Sequence, residues 1–129
     1  MTSCLGLFSL PYLSICEVAM EIFVNEKDVA PVKYEDYLYK EMLGEKNGCL
    51  AGCRTGILMY TQEEYRQGGV HEDQEGFLVL SGSGSALVGG EEFSLEPGCC
   101  FIAPPGTYHS IKRDTSCEYI KLFFFHAAV

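Results

Sequence analysis

From residue 76 onward, short runs of alternating apolar and polar residues recur between Gly- and Pro-rich breaks. This pattern predicts a succession of short strands: Gly76–Ser81, Ser85–Val88, Glu91–Leu95, Cys99–Ala103, Tyr108–Lys112 and Glu118–His126. The breaks fall at Gly82–Gly84, Gly89–Gly90, Glu96–Gly98, Pro104–Gly106 and Arg113–Ser116. Gly89–Gly90 is a two-residue hairpin loop of the kind that needs positive φ. Upstream the pattern is less regular. Met20–Val24 reads as a short strand, Val32–Met42 as strand or irregular, and Leu50–Tyr60 as a long strand. Glu26–Asp28 and Gly44–Gly48 read as turns, Thr61–Arg66 as a polar stretch, and Gly68–Gly69 as a further break. Short strands at this spacing predict an all-β sandwich or barrel, and no long helix is required.

Alternation also assigns faces. In Tyr108–Lys112, His109 shares its face with Ile111, while Tyr108, Ser110 and Lys112 share the other. In the run ending at Ser81, Glu75 shares a face with Phe77 and Val79, so its carboxylate is predicted to point inward. A carboxylate among apolar side chains is costly unless it is paired or binds a metal. Phe77–Leu80 and Ile120–Phe125 are apolar on both faces. A sheet with one solvated face should alternate cleanly, so a cover is expected over these strands, either a second subunit or the N-terminal segment.

The 129 residues suffice for one domain and one core. A net charge of -9, with nine Lys and Arg scattered along the chain, argues against a nucleic-acid partner. It also disfavours a strongly anionic substrate unless Arg54, Arg66 or a metal offsets the charge. Seven cysteines cannot all pair within one chain. Cys99 and Cys100 are adjacent, so a bridge between them would be strained. Reduced, mostly buried thiols in a cytoplasmic protein are expected.

Residues 1–19 form an apolar extension with one charge, Glu17. The segment has no basic residue and is interrupted by Pro11, so it matches neither a secretory signal nor a membrane span. Either Met20 is the natural start, which the composition slightly favours, or the segment is an extension that packs on exposed apolar surface.

His71, Glu75 and His109 are the residues with the clearest chemistry. Two imidazoles and one carboxylate are a ligand set that holds a divalent metal with positions left open. Around them the chain reads G-V-H-E-D-Q-E-G-F-L-V-L-S-G (69–82) and P-G-C-C-F-I-A-P-P-G-T-Y-H (97–109). At these residues the chain resembles the cupin superfamily of jelly-roll (double-stranded β-helix) barrels. His71, Glu75 and Gly82 match the second half of the first cupin motif, G-x5-H-x-H-x3,4-E-x6-G. Gly98, Pro104, Gly106 and His109 match the second, G-x5-P-x-G-x2-H-x3-N. The likeness runs from about Tyr60 to Phe125 and implies one cupin domain over residues 20–129. It departs at two places: the first His of the pair would fall at Gly69, and the final Asn at Arg113.

The resemblance therefore carries over three metal ligands, His71, Glu75 and His109, for Fe(II), Mn(II), Ni(II) or Zn(II). His126 is the one other His in the chain and a candidate for the missing ligand. Arg54 and Tyr60 share parity on the preceding strand and are candidates to line the pocket, as are Phe77 and Phe101, which equally suit the core. Cupin barrels host many activities, so the fold does not select one. The expected function is metal-dependent action on a small organic molecule, as a dioxygenase or isomerase. The alternatives are a small-molecule-binding module without turnover and a structural homodimer with a vestigial metal site. No catalytic base stands out, and Tyr60 and His126 are weak candidates for one.

Overall fold

A computed structural model describes residues 21–129. The segment 1–19 and Met20 lie outside the described residues. Ten strands form two antiparallel sheets that share one core. The larger sheet has the order β1-β2-β3-β10-β5-β8, and the smaller β4-β9-β6-β7. The larger contains β1 (Val32–Lys33), β2 (Tyr37–Leu43), β3 (Arg54–Tyr60), β5 (Gln74–Ser81), β8 (Cys100–Ala103) and β10 (Ile120–Ala127). The smaller contains β4 (Gly68–Gly69), β6 (Gly84–Val88), β7 (Glu91–Leu95) and β9 (His109–Arg113). The only helical pieces among the described residues are two 3-10 turns, Glu26–Asp28 and Glu45–Asn47. The all-β expectation holds, and a jelly-roll barrel fits this strand order. None of the helical pieces is long and apolar enough to cross a membrane.

β10 organises the larger sheet. It pairs with β3 on one side and β5 on the other, with Phe124 opposite both Gly56 and Phe77. Its even-numbered residues, Ile120, Leu122, Phe124 and His126, are all buried. They meet Leu58 of β3 and Phe77 and Val79 of β5, while Ala86, Leu95 and Ile111 close the core from the other sheet. Burying side chains of this size contributes about 1.5–3 kcal/mol each. The predicted faces of Glu75, Phe77, Val79, His109 and Ile111 are the buried ones. Ser110 departs from its predicted exposure. It is buried because its hydroxyl donates to the Gln67 carbonyl in the loop that crosses over it.

Several element boundaries differ from the sequence pattern. Residues 21–25 form no strand. Ile22, Phe23 and Val24 instead lie beside Met42, Leu43, Thr55, Ile57 and Phe123. The long run before Tyr60 becomes strand only at Arg54, because Ala51 and Gly52 take positive φ (57° and 78°) and turn the chain. Gly68–Gly69, expected as a break, is a two-residue strand paired with Ser110 and His109. Gly89 and Gly90 do take positive φ, 57° and 91°, at the tip of the β6–β7 hairpin.

The two-sided strands leave apolar surface. Leu78, Leu80, Ile102 and Phe125 are more than one-third exposed on the outer face of β5, β8 and β10. Residues 22–24 reach Phe123 but leave these four side chains open.

Gly56 tests the β2–β3–β10 packing. A Cβ added there would lie 2.3 Å from the Lys40 carbonyl oxygen and 2.6 Å from the Phe124 ring. Gly56→Ala is expected to destabilise the protein by about 1–3 kcal/mol through overpacking. Leu50→Ala, at a largely exposed position, should be nearly silent. Thermal denaturation of both variants checks this, and equal melting temperatures would refute the packing described.

Candidate metal centre

Strand register brings the first two chemical groups together. On the larger sheet Glu75 of β5 lies opposite His126 of β10, which in turn lies opposite Arg54 of β3. Directly opposed residues share a face, so the carboxylate and the imidazole are neighbours. His109 enters from the smaller sheet, where it opens β9 and faces Gly69 of β4. His71 belongs to the short loop joining β4 to β5. Glu75, His109 and His126 are about 5–6% exposed, and His71 is half-buried.

The three rings converge on one carboxylate. Nε2 of His71 lies 3.1 Å and Nε2 of His109 3.2 Å from Glu75 Oε1, and Nε2 of His126 lies 3.3 Å from Oε2. The other ring nitrogens face oxygen acceptors. His71 Nδ1 is 3.0 Å from the Asp73 carbonyl oxygen and 2.7 Å from Asp73 Oδ1. His126 Nδ1 is 2.8 Å from Asp73 Oδ2, and His109 Nδ1 is 3.4 Å from the Thr107 carbonyl oxygen. At His71 and His126 the Asp73 carboxylate lies nearer Nδ1 than Glu75 lies to Nε2 and favours the ring proton on Nδ1. At His109 the Glu75 carboxylate at 3.2 Å is a stronger acceptor than the Thr107 carbonyl at 3.4 Å. Neutral His71 and His126 then turn their Nε2 lone pairs toward Glu75, and His109 is left to donate to it from Nε2. Lone pairs facing a carboxylate repel unless a cation sits between them, either a proton or a metal ion.

The donor set fits a metal. The nearest ligand atoms of His71, Glu75 and His109 all lie within 4.8 Å of one another. Histidine nitrogens and a carboxylate oxygen are what Fe(II), Mn(II), Ni(II) and Zn(II) accept. Position 69, where the resemblance expects another His, also faces this centre. A Cβ there would stand 3.7 Å from His109 Cε1 and 3.9 Å from His71 Cδ2, in ordinary contact.

With protons as the cations, the titration of the group follows. Burial opposes ionisation of Glu75, but hydrogen bonds from His109 and His126 and the charge of those rings outweigh it. Its pKa is lowered to about 2. Burial likewise opposes the charged form of His126, yet Glu75 and Asp73 hold its pKa above the ordinary value. The Tyr60 phenol is pushed well above its usual range, first by burial and then by the Glu75 charge.

The centre opens onto a cavity of about 220 Å³. Tyr37, Tyr39, Tyr60 and Gln67 bring polar groups to its wall. Arg54 stands exposed at the edge, with Nη2 3.3 Å from His126 Nε2. Of the residues expected to line a pocket, Arg54 and Tyr60 are there. Phe77 and Phe101 lie behind the wall instead, stacked with ring centroids 4.7 Å apart as part of the core, and Phe77 backs the His109 ring at 5.8 Å. Arg113, in the place of the expected Asn, ties loops together. Its Nε donates to the Thr61 carbonyl and its Nη1 to the Cys117 carbonyl.

The sequence reading missed Asp73, Tyr37, Tyr39 and Gln67. Asp73 was within reach, because it precedes Glu75 and Phe77 at the same two-residue spacing. The tyrosines of β2 carried no comparable signal, since only the tertiary pairing of β2 with β3 brings them to the cavity.

Comparison with known proteins places this geometry. Residues 61–124 match the family described as Cupin domain. No curated protein matches the chain by sequence. Among solved structures, the cupin domain of Schizosaccharomyces pombe Cnp3 is similar, with a TM-score of 0.67 and 17% identity. That match covers 81% of this chain and 72% of Cnp3's. The FeII form of HppE aligns with a TM-score of 0.69 and 14% identity over 83% of this chain and 60% of its own, so this chain spans less than two-thirds of it. A predicted oxalate decarboxylase from Thermotoga maritima aligns with a TM-score of 0.72 and 13% identity, covering 82% and 98%. At these identities the likeness is one of fold.

The Glu75 and His126 shifts set a pH profile for the metal-free protein. The lowered Glu75 pKa contributes stability above the ordinary 4.5, and this is lost as pH falls toward about 2. The raised His126 pKa contributes stability below 6.5, and this is lost as pH rises through the folded value. The pair should therefore stabilise most between those two ordinary values. Glu75→Gln should flatten both limbs of stability against pH, measured by chemical denaturation. An unchanged profile in that variant would contradict the pairing.

Proposed function

Since this chain belongs to the cupin superfamily, we propose that it binds a divalent transition metal through His71, Glu75, His109 and His126 and uses it on a small organic molecule. The convergence of three Nε2 atoms on one buried carboxylate carries this reading. His126 stands in for the ligand that Gly69 cannot supply. Fe(II), present in the HppE structure of the same fold, is the first metal to test, with Mn(II), Ni(II) and Zn(II) after it. When bound, such a metal polarises a carbonyl, stabilises an enediolate or activates O2.

The residues of the chain define what is admitted. A cavity of about 220 Å³ suits a molecule smaller than most drug-sized ligands. The Tyr60 phenol, kept protonated, donates a hydrogen bond to an oxygen of that molecule. Arg54 at the edge meets one negative charge, which makes a small oxygen-bearing anion acceptable despite the acidic chain. Glu75 is ionised and engaged by three rings, so its role is that of a ligand rather than a base.

A binding module without turnover is the second reading. It is favoured by the cavity wall, where the carboxylate and the imidazoles are already engaged and the Tyr60 phenol resists deprotonation. The open apolar face of Leu78, Leu80, Ile102 and Phe125 further supports a homodimer of this chain, in the cytoplasm as the thiol content suggests.

Metal analysis of protein purified without chelator should find about one equivalent of a transition metal, and His71→Ala should lose both metal and thermal stability. Less than about 0.1 equivalent, with His71→Ala as stable as the parent, would overturn the metal reading. His126→Ala should weaken binding by about tenfold or more, and adding Gly69→His should restore it. O2 uptake by the Fe(II) form separates oxygenase from isomerase chemistry, whereas inert protein stabilised by its ligand would support the binding module. Mass measurement in solution should give twice the chain mass, and a monomer at micromolar concentration would refute the dimer.

A further inference from the structure

We propose that Asp73 is the positioning residue of this centre. Its one carboxylate holds the protons of His71 and His126 on Nδ1 and so aims both Nε2 atoms at the metal position. The inference rests on the metal reading above, but the ring geometry that supports it is separate. Asp73 Oδ1 lies 2.7 Å from His71 Nδ1, and Oδ2 lies 2.8 Å from His126 Nδ1. Each oxygen serves one ring, and the two ring centroids are 5.1 Å apart. The chain therefore has two layers of carboxylate: Asp73 behind the rings and Glu75 in front, reached at residues 71, 73 and 75 of one short stretch.

The chemistry of such a layer is general. A carboxylate on the far nitrogen of a ligating imidazole fixes its tautomer and orientation and makes the near nitrogen more basic. His109 has no such partner. Its Nδ1 meets only the Thr107 carbonyl oxygen, at 3.4 Å. Asp73 thus acts on two rings of three, one of them His126, whose strand lies far along the chain. Without Asp73, His126 Nε2 is as easily claimed by the Arg54 guanidinium, 3.3 Å away, as by Glu75 at the same distance. Asp73 is in this sense what recruits His126 into the position vacated at Gly69.

The ligand atoms of His71, Asp73 and His126 also lie within 4.8 Å of one another, so a metal could in principle sit on the Nδ1 side. That arrangement would make Asp73 a ligand and would contradict the proposal. The experiment separates the two with readouts independent of activity. Nitrogen-15 NMR of the metal-free full chain at alkaline pH should show His71 and His126 protonated on Nδ1, toward Asp73, and His109 protonated on Nε2, toward Glu75. In Asp73→Ala, His126 should lose its Nδ1 preference while His109, which does not touch Asp73, stays unchanged as an internal control. Competition titration with Co(II) and a chromophoric chelator should show affinity falling about 10–100-fold in Asp73→Ala. Asp73→Asn, with one acceptor oxygen left and nearly the same shape, should fall between the two and secures the reading if the alanine variant folds poorly. Nε2-protonated His71 and His126 in the parent protein, or unchanged affinity and ring spectra in both variants, would overturn the proposal. If the parent binds no Co(II), the metal reading fails, and the NMR comparison still decides what Asp73 does to the rings.

Discussion

Three imidazole Nε2 atoms aimed at one buried carboxylate cannot all present lone pairs to it without a positive charge among them. The structure depends on this constraint more than on any single contact. Asp73 places a carboxylate behind two of the rings, so neutral His71 and His126 present Nε2 lone pairs to Glu75. Protons meet the need at the expense of altered titration, with Glu75 held near 2 and His126 raised. A divalent ion among the Nε2 atoms would meet it and leave the Nδ1–H bonds to Asp73 in place. Burial makes the requirement stringent, because unpaired charge away from water costs several kcal/mol.

The fold supplies the geometry through register. β10 sits between β3 and β5, so one row of its side chains forms core at Ile120, Leu122 and Phe124 and site at His126. The same row thus gives the site a packed floor. The opposite wall comes from the loop between β3 and β4, which carries buried polar groups and must satisfy them. Gln62 donates to the Ile111 carbonyl at 2.6 Å and accepts from the Gln67 amide at 2.8 Å, and Arg66 pairs with buried Asp36. These bonds fix the path into Gly68–Gly69, which pairs with β9 and brings the His71 ring beside that of His109. A buried polar network of this kind rigidifies the segment that carries a ligand.

Much of this was legible in the sequence where local pattern and tertiary environment agree. Alternation placed Glu75 with Phe77 and His109 with Ile111, and both pairs are buried. The Gly-Gly tip of the β6–β7 hairpin needed only local turn chemistry. Legibility ended where partners came from distant segments. Gly68–Gly69 reads as a break because two glycines have no strand propensity, yet the His109–Ser110 edge recruits them. Ser110 looked exposed because alternation knows nothing of the loop above it. His126 stands out as the one other His in the chain, whereas Asp73 is one of many acidic residues and only its two-residue spacing from Glu75 marks it. Phe77 and Phe101 shared a face with the site and were expected at the pocket, but their size took them into the core behind it.

The fold-level likeness to Cnp3, HppE and the Thermotoga protein leaves chemistry open, so the central claim concerns the centre itself. Crystals of the metal-loaded protein, recorded at the absorption edge of the bound metal, test it most directly. The account predicts one anomalous peak about 2.1 Å from the Nε2 atoms of His71, His109 and His126 and from a Glu75 carboxylate oxygen. No peak between the rings, or a peak on the Nδ1 side beside Asp73, would contradict it.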